Sequence, residues 1–486
     1  MILDDVKREL VGRCTFPATN WLYNRRRLRG IYGDLVYSDA WPAQMLEETQ
    51  LQQLRRVLAY AQRWCPFYAE RLRHCHVDPK DIRKLSDVEH IPPLTRHDLI
   101  QHRAELVDRR LSASVEAAER QARPPGAPIP LAPFRRHRLV RNTSTGSTGT
   151  PVVVYEDGST TAMTWAHEWR LKKWFGLAPG EREARFARVS TEFVANSKSL
   201  RARQLLWNQL VLPGINLAEA DFALCLERIR TFRPRILFGI TSALTGFAKY
   251  VQAQAATADI RPAVVITWAS PVYDHERALL EQTFDCPVAN VYGSREVGHV
   301  ASTCPHGRMH IHQENFHVEV RHDPSSGGAG NSGQILITPL FPTPMPLVRY
   351  EIGDVAELTP SDCPCGRQHP LLRNLLGRTT EIFTTASGRA IPPNFWCRAF
   401  MGNDGSQHVD QFQVVLERSG GLRFRVVRRP DYTPETEAGL RRYLGDQLQD
   451  EIPMEFEYVD AIAPQPSGKI PMVIDQREAE TAGASR

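Results

Sequence analysis

The chain has 486 residues, 42% of them hydrophobic and 24% charged, and carries a net charge of +5 from 60 basic and 55 acidic side chains. That length exceeds what one hydrophobic core usually holds, so two or more domains are expected, in a protein of ordinary globular composition. The small basic excess sits in short, separated clusters such as Arg25-Arg26-Arg27 and Arg135-Arg136-His137-Arg138, without the continuous stripe that marks a nucleic-acid binder.

The first ten residues, MILDDVKREL, place acids where a secretory signal carries a basic flank, and no apolar core follows. The most apolar stretch, 236–251, is interrupted by Gly239, Thr241, Gly246 and Lys249 and falls short of the ~20 apolar residues of a membrane span. A cytoplasmic location without a membrane span is the expectation. Residues 46–68 place Leu51, Leu54, Val57, Leu58 and Ala61 on one helical face and should form an amphipathic helix ending before Pro66. Residues 121–134 are a proline-rich connector, and 161–175 read as a helix. The short apolar runs at 235–238, 264–266 and 287–291 suit buried strands of an α/β sheet. Residues 323–333 (DPSSGGAGNSG) read as a hairpin tip between strands at 316–321 and 334–338. Past Gly377 the texture changes. Alternating segments at 411–417 and 423–427 flank Ser419-Gly420-Gly421, then Thr433-Pro434 starts a helix, and 454–459 is a strand. This is the pattern of a small α+β domain.

Five stretches carry chemistry. Ser144-Thr145-Gly146-Ser147-Thr148-Gly149 is a run of small and hydroxyl residues that lets backbone N–H groups approach an anion. Thr150 and Pro151, followed by Val152-Val153-Val154, replace the lysine and helix of a Walker A motif and exclude a P-loop NTPase. By itself the loop fits either a phosphate cradle or a polar surface turn. Tyr292-Gly293-Ser294-Arg295-Glu296 follows a buried strand, where α/β proteins bind ligands; its ring suits a base and its carboxylate a Mg2+ ion beside phosphates. Asp354 after the turn Gly353 is placed to accept from two ribose hydroxyls. Gly377-Arg378 lies at the change of texture, and Lys469 sits on the late Pro466-Ser467-Gly468 turn.

In this order and spacing the five stretches resemble the adenylate-forming (acyl-AMP) ligase superfamily. Residues 51–106, with Pro66-Phe67-Tyr68 after one helix and Pro92-Pro93-Leu94-Thr95-Arg96 before another, resemble its phenylacetate–coenzyme A ligase and capsular-polysaccharide-biosynthesis branch. The resemblance implies an α/β fold: a large ATP- and acid-binding domain over 1–376 and a small mobile α+β lid over 377–486, hinged at Gly377-Arg378. It also implies that ATP and a carboxylic acid give an acyl-adenylate, which a thiol, that of coenzyme A, then attacks. Residues 144–149 would hold the β- and γ-phosphates, Glu296 the Mg2+, Tyr292 and Gly293 the adenine, and Asp354 the ribose with Arg378 nearby. Lys469 and Glu296 would be catalytic, the lysine charge stabilising the transition state at the α-phosphate. Three positions depart from the family pattern: Thr150 where lysine is frequent, Thr380 where an acid usually follows the hinge arginine, and Trp268-Ala269-Ser270-Pro271 where a glycine–glutamate pair is common. An amine or hydroxyl acceptor therefore stays open beside coenzyme A, as does a non-catalytic nucleotide-binding scaffold. A homodimer is among the open oligomeric states.

Nine cysteines in so long a chain do not make a disulfide framework. Cys304, His306, His310, Cys363 and Cys365 form two tight groups whose thiolates and imidazole suit a tetrahedral structural Zn2+, the alternative being reduced loop cysteines. The resemblance favours Cys304, His310, Cys363 and Cys365 as the zinc set, with His306 the rival of His310. Trp165, Phe186, Phe193, Phe238 and Trp268 line either the acid pocket or the core.

Overall fold

The computed structural model describes residues 2–15, 18, 27–120, 139–143, 152–215, 217–322, 331–378, 383–384, 390–391, 395–396, 399–400, 409–448, 452–463 and 470–476. The proline-rich connector, the 144–149 loop, most of the 323–333 tip and Lys469 lie outside these.

The expected amphipathic helix is Ala43–Trp64, which buries Leu46, Leu54, Val57, Leu58 and Ala61. Proline forces a break rather than an end: Cys65 is extended and a second helix, Pro66–His74, starts with Pro66 in its first turn. Tyr68 from that helix is fully buried; its hydroxyl accepts from the Val348 N–H at 2.9 Å and donates to the Pro346 carbonyl at 3.0 Å. Leu94 then forms a bridge with Tyr350. The N-terminal helices are thereby fastened to the segment that carries Asp354.

Strands β1 (Val140–Thr143) and β2 (Val153–Glu156) pair antiparallel on either side of the glycine- and hydroxyl-rich loop. The helix Gly158–Trp174 follows, capped by Asp157, whose Oδ1 accepts from the Ser159 and Thr160 N–H groups. Next come β3 (Glu183–Ala187), β4 (Gln209–Pro213), β5 (Ile236–Ile240), β6 (Val264–Trp268) and β7 (Val288–Ser294), parallel and arranged β7-β6-β5-β3-β4. These runs are apolar throughout because both faces are covered. Leu237 and Val265 pack towards helices Glu219–Phe232, Thr241–Ala253 and Asp274–Phe284, while Ile236, Phe238, Val264 and Ile266 face Leu171 and Trp174 of the Gly158–Trp174 helix. Phe186 and Phe238 are core residues of these layers.

After β7 the sheet turns antiparallel through β8 (Gly298–Thr303), β9 (Met309–Ile311), β10 (Phe316–Arg321), β11 (Gly333–Pro339), β12 (Tyr350–Thr359) and β13 (Leu371–Arg378). The complete sheet has eleven strands in the order β10-β11-β12-β13-β9-β8-β7-β6-β5-β3-β4. β10 and β11 are antiparallel neighbours, as the flanks of the 323–333 segment suggested.

Beyond a short pair, β14 (Phe383–Thr384) with β15 (Ala390–Ile391), a separate four-stranded sheet contains β16 (Val409–Leu416), β17 (Leu422–Arg428), β18 (Met454–Tyr458) and β19 (Val473–Asp475), ordered β18-β17-β16-β19. Helix Pro434–Leu448 covers it through Leu440 and Leu444, over Trp396, Phe400, Phe412 and Phe424. The Thr436 N–H donates to Thr433 Oγ1 at 3.4 Å, the cap the Thr-Pro pair suggested. The two sheets have different apolar clusters, and Lys249 Nζ to Asp410 Oδ1 at 2.6 Å joins helix Thr241–Ala253 to β16.

Candidate nucleotide and metal sites

Antiparallel pairing brings distant motifs together. Asp354 lies opposite Arg378 in the β12–β13 register, and the Tyr292 hydroxyl donates to Asp354 Oδ2 at 2.9 Å. Three of the residues singled out in the sequence thus meet at one place. Tyr292 is only 6% exposed and belongs to the main core cluster, so its ring is packed beneath the site instead of standing open to a base. Its contribution on this geometry is to hold the Asp354 carboxylate. Gly293 is required by close approach: a Cβ there would lie 2.0 Å from the Gly298 carbonyl oxygen across the β7–β8 hairpin.

Glu296 sits in that hairpin turn, partly exposed, with its N–H donating to Ser294 Oγ at 3.2 Å. The turn is tied to the stems of the 144–149 loop. Arg295 Nη1 donates to the Thr143 carbonyl at 2.7 Å, and Asn142 Nδ2 donates both to the Arg295 carbonyl at 3.1 Å and to Glu156 Oε1 at 3.2 Å. The Glu156 carboxyl is pushed up to about 7, first by burial and further by the negative charges of Asp157 and Glu296, against the Asn142 hydrogen bond. Asn142, Glu156 and Arg295 were not singled out in the sequence. The available signal was their position: the first two flank the loop on its two strands, and the third stands inside the Tyr-Gly-x-x-Glu element.

The proposed hinge dipeptide is held in the sheet, Gly377 paired with Val355 and Arg378 with Asp354. Rotation about either residue would break that ladder, so a bend is cheaper beyond Arg378. The Trp268–Pro271 segment leaves β6 with Ala269 at φ +74°, a left-handed conformation unusual for alanine. It is held there by Asn290 Nδ2 and Thr241 Oγ1, which donate to the Ser270 carbonyl at 3.2 and 3.3 Å. The Trp268 indole N–H is buried without an acceptor among the described residues. Trp165 packs edge-on against Trp207; the side chain of Phe193 lies outside the described set.

The cysteines converge at the other end of the antiparallel half. The ligand atoms of Cys304, His310, Cys363 and Cys365 all lie within 4.8 Å of one another. Cys304 Sγ is 3.6 Å from Cys363 Sγ, and Cys365 Sγ is 3.3 Å from His310 Nε2. A tetrahedron with Zn–S bonds of about 2.3 Å has edges of roughly 3.8 Å, so these separations fit one shared ion. His310 Nδ1 is 3.0 Å from the His369 carbonyl, which places the proton on Nδ1 and leaves the Nε2 lone pair facing the sulfurs. Burial holds the His310 ring down at about 4, in the neutral form a metal requires. The rival His306 is exposed and outside the cluster. Behind it lies a buried polar network. Glu314 Oε1 accepts from Arg170 Nη1 at 2.6 Å and from His369 Nε2 at 2.8 Å, and also bonds Ser38; Arg170 Nη2 lies 2.6 Å from His312 Nδ1. The eight described cysteines are all free.

No family model matches the chain. Among curated proteins, a phenylacetate-coenzyme A ligase of Thermus thermophilus is 25% identical over 408 residues, covering 78% of this chain and 80% of that protein. Protein CapK of Staphylococcus aureus is 21% identical over 347 residues, 69% of each. Among solved structures, a 2-hydroxyisobutyryl-CoA ligase in the postadenylation state, in complex with R3-HIB-AMP, matches with a TM-score of 0.68 at 19% identity over 92% of both chains. The chain is thus similar in sequence to phenylacetate-coenzyme A ligases and shares its fold with a solved acyl-CoA ligase. Against the same solved ligase in its thioesterification state the TM-score is 0.54, so the likeness depends on the conformational state of that ligase. Among the described residues no helix is long and apolar enough to cross a membrane.

Proposed function

We propose that the chain activates a carboxylic acid with ATP and passes the acyl group to the thiol of coenzyme A. In the first step a carboxylate oxygen attacks the α-phosphorus, the bond to the pyrophosphate oxygen breaks, and an acyl-adenylate forms. In the second, the thiol sulfur attacks the acyl carbon, its proton passes to solvent, and AMP leaves with the C–O bonding pair. The observation that carries this reading is the convergence of Tyr292, Asp354 and Arg378, one hairpin away from a turn that anchors the stems of the 144–149 loop. Asp354, pre-oriented by Tyr292, accepts from the ribose hydroxyls with Arg378 alongside, and Gly293 lets the backbone come close. Ser144, Thr145, Gly146, Ser147, Thr148 and Gly149 cradle the β- and γ-phosphates. Glu296 holds Mg2+, which when bound neutralises phosphate charge. Lys469, from the small domain of 377–486, approaches the α-phosphate when that domain closes over 1–376. Cys304, His310, Cys363 and Cys365 hold a structural Zn2+; four protein ligands leave no position for substrate. Substrates such as ATP and coenzyme A, and cysteines that are all free where described, suit the cytoplasm.

The test is ATP-dependent pyrophosphate release against a panel of aryl and short aliphatic acids, with Lys469→Ala in parallel. One acid class should support release, and the variant should lose roughly 10²–10³ in rate. Full activity in the variant would refute the lysine's role. Thioester formation on adding coenzyme A identifies the acceptor; transfer only to added amines or alcohols would replace the second step.

A further inference from the structure

The hairpin turn that carries Glu296 is gripped from a strand far away in sequence. Asn142, on β1, donates from Nδ2 to the Arg295 carbonyl at 3.1 Å and to Glu156 Oε1, on β2, at 3.2 Å. Both partners are oxygens and the carbonyl can only accept, so the atom between them is the amide nitrogen, with both of its N–H groups in use. Among side chains this short, only asparagine offers two donors on one nitrogen. Asn142 lies opposite Val154 in the β1–β2 ladder, so Glu156, two residues on, shares its face of the pair.

The Arg295 carbonyl and the Glu296 N–H belong to one planar peptide unit. Asn142 holds its carbonyl end, and Ser294 Oγ accepts from its N–H end at 3.2 Å. Fixing both ends of the plane fixes the direction in which the next Cα presents its side chain. The Glu296 carboxylate itself is partly exposed and has no hydrogen-bond or ion-pair partner among the described residues. A carboxylate aimed by its backbone and left without a cation suits Mg2+, which demands ligand oxygens in near-ideal octahedral positions. The turn also has a second, independent support. Val297 is buried, and Gly298, at φ +83°, lies so close to helix Gly158–Trp174 that a Cβ would stand 2.9 Å from Thr164 Oγ1. Removing the Asn142 grip therefore frees the peptide plane without releasing the turn.

We infer that Asn142 is a positioning residue for the metal-binding carboxylate: by fixing the Arg295–Glu296 peptide it aims Glu296 at the Mg2+ that accompanies ATP. The inference rests on the ligase reading above and adds to it a residue from β1, outside all five sequence stretches. Glu156 completes the device, since its carboxylate turns the amide so that the other N–H points at the carbonyl.

Calorimetric titration of the full chain with ATP, with and without Mg2+, reads the device on wild type, Asn142→Ala, Asn142→Asp and Glu296→Gln. Mg2+ should tighten ATP binding to wild type, and Glu296→Gln should lose that gain. Asn142→Ala should lose roughly 3–10-fold of it, the range of one neutral hydrogen bond, with the Mg2+-free affinity unchanged. Asn142→Asp keeps the size but turns an oxygen towards two acceptors, and should lose more than alanine. A side chain that merely fills space would show the reverse order. Alanine carries the test alone should aspartate fail to fold. In turnover, the Mg2+ concentration for half-maximal pyrophosphate release should rise in the Asn142 variants, excess Mg2+ should restore the rate, and KM for the acid should stay put. Asn142 variants that keep the full Mg2+ gain, that rank aspartate milder than alanine, or that lose affinity equally with and without Mg2+ would overturn the positioning role. Wild type that neither binds nor turns over ATP would refute the ligase reading itself, and Glu296→Gln keeping the gain would refute its placement of Mg2+.

Discussion

The cysteine–histidine cluster and three of the nucleotide motifs share one stretch of chain, from Tyr292 to Arg378, and are built in contrasting ways. The cluster draws its four candidate ligands from the β8–β9 hairpin and the β12–β13 connection of a single sheet, and its imidazole is oriented by a backbone carbonyl with a buried network behind it. The nucleotide side gathers β1–β2, the β7–β8 turn and the β12–β13 pair, and in the proposed function it also takes Lys469 from the small domain. A structural ion profits from a closed, rigid cage. A site that must admit ATP, release pyrophosphate and then admit a thiol has to be assembled from parts that can separate.

The contrast can be broken at several strengths. The largest effect is expected at the cluster. Cys365→Ser should lower bound zinc from near one per chain, measured by elemental analysis, and depress the melting temperature by several degrees, since loss of a metal ligand is among the severe single changes. Strong chelators should do the same to wild type. A variant with unchanged zinc content and melting temperature would show the cluster to be reduced cysteines without an ion. On the nucleotide side the expected effects are on function rather than stability. Asp354→Ala removes the acceptor that Tyr292 orients and should weaken ATP by roughly 10–100-fold, read by titration, with little change in melting temperature. An equal loss of stability and affinity would mean that Asp354 is a core residue of the β12–β13 pair. The smallest effect concerns the contact between the two sheets. Lys249 and Asp410 are about 40% and 39% exposed, and an exposed pair contributes only about 0.2–1 kcal/mol. Lys249→Ala should shift the balance between pyrophosphate release and acyl transfer by less than about fivefold, and a larger change would make that ion pair a determinant of closure.

Much of the architecture was legible because it follows from periodicity. The buried runs at 235–238 and 264–266, the hairpin flanks at 316–321 and 334–338, and the β-β-α-β string after 409 each declare themselves over a few residues. The zinc candidates were legible as a residue set because soft ligands cluster in sequence. Which histidine takes part was not, since His306 and His310 both follow Cys304 within the same short hairpin, and only the strand β9 buries one of them. Tyr292 was expected to present its ring to adenine; the structure buries it. The alternation of β7 determines which of its side chains enter the core, and that depends on what packs on each face.

What the sequence determined by itself is the set of local pieces: helix and strand types, the phosphate-loop composition, the turn glycines, the ligand chemistry and the order of the motifs. These depend on neighbours within a few residues, where propensity and spacing act. The tertiary structure alone decided which pieces meet: Asp354 with Tyr292 and Arg378, Arg295 with Thr143, His310 with three sulfurs. Those contacts span tens to hundreds of residues, and their energies depend on burial and on charges brought together by the eleven-stranded sheet, quantities that no local window of sequence contains.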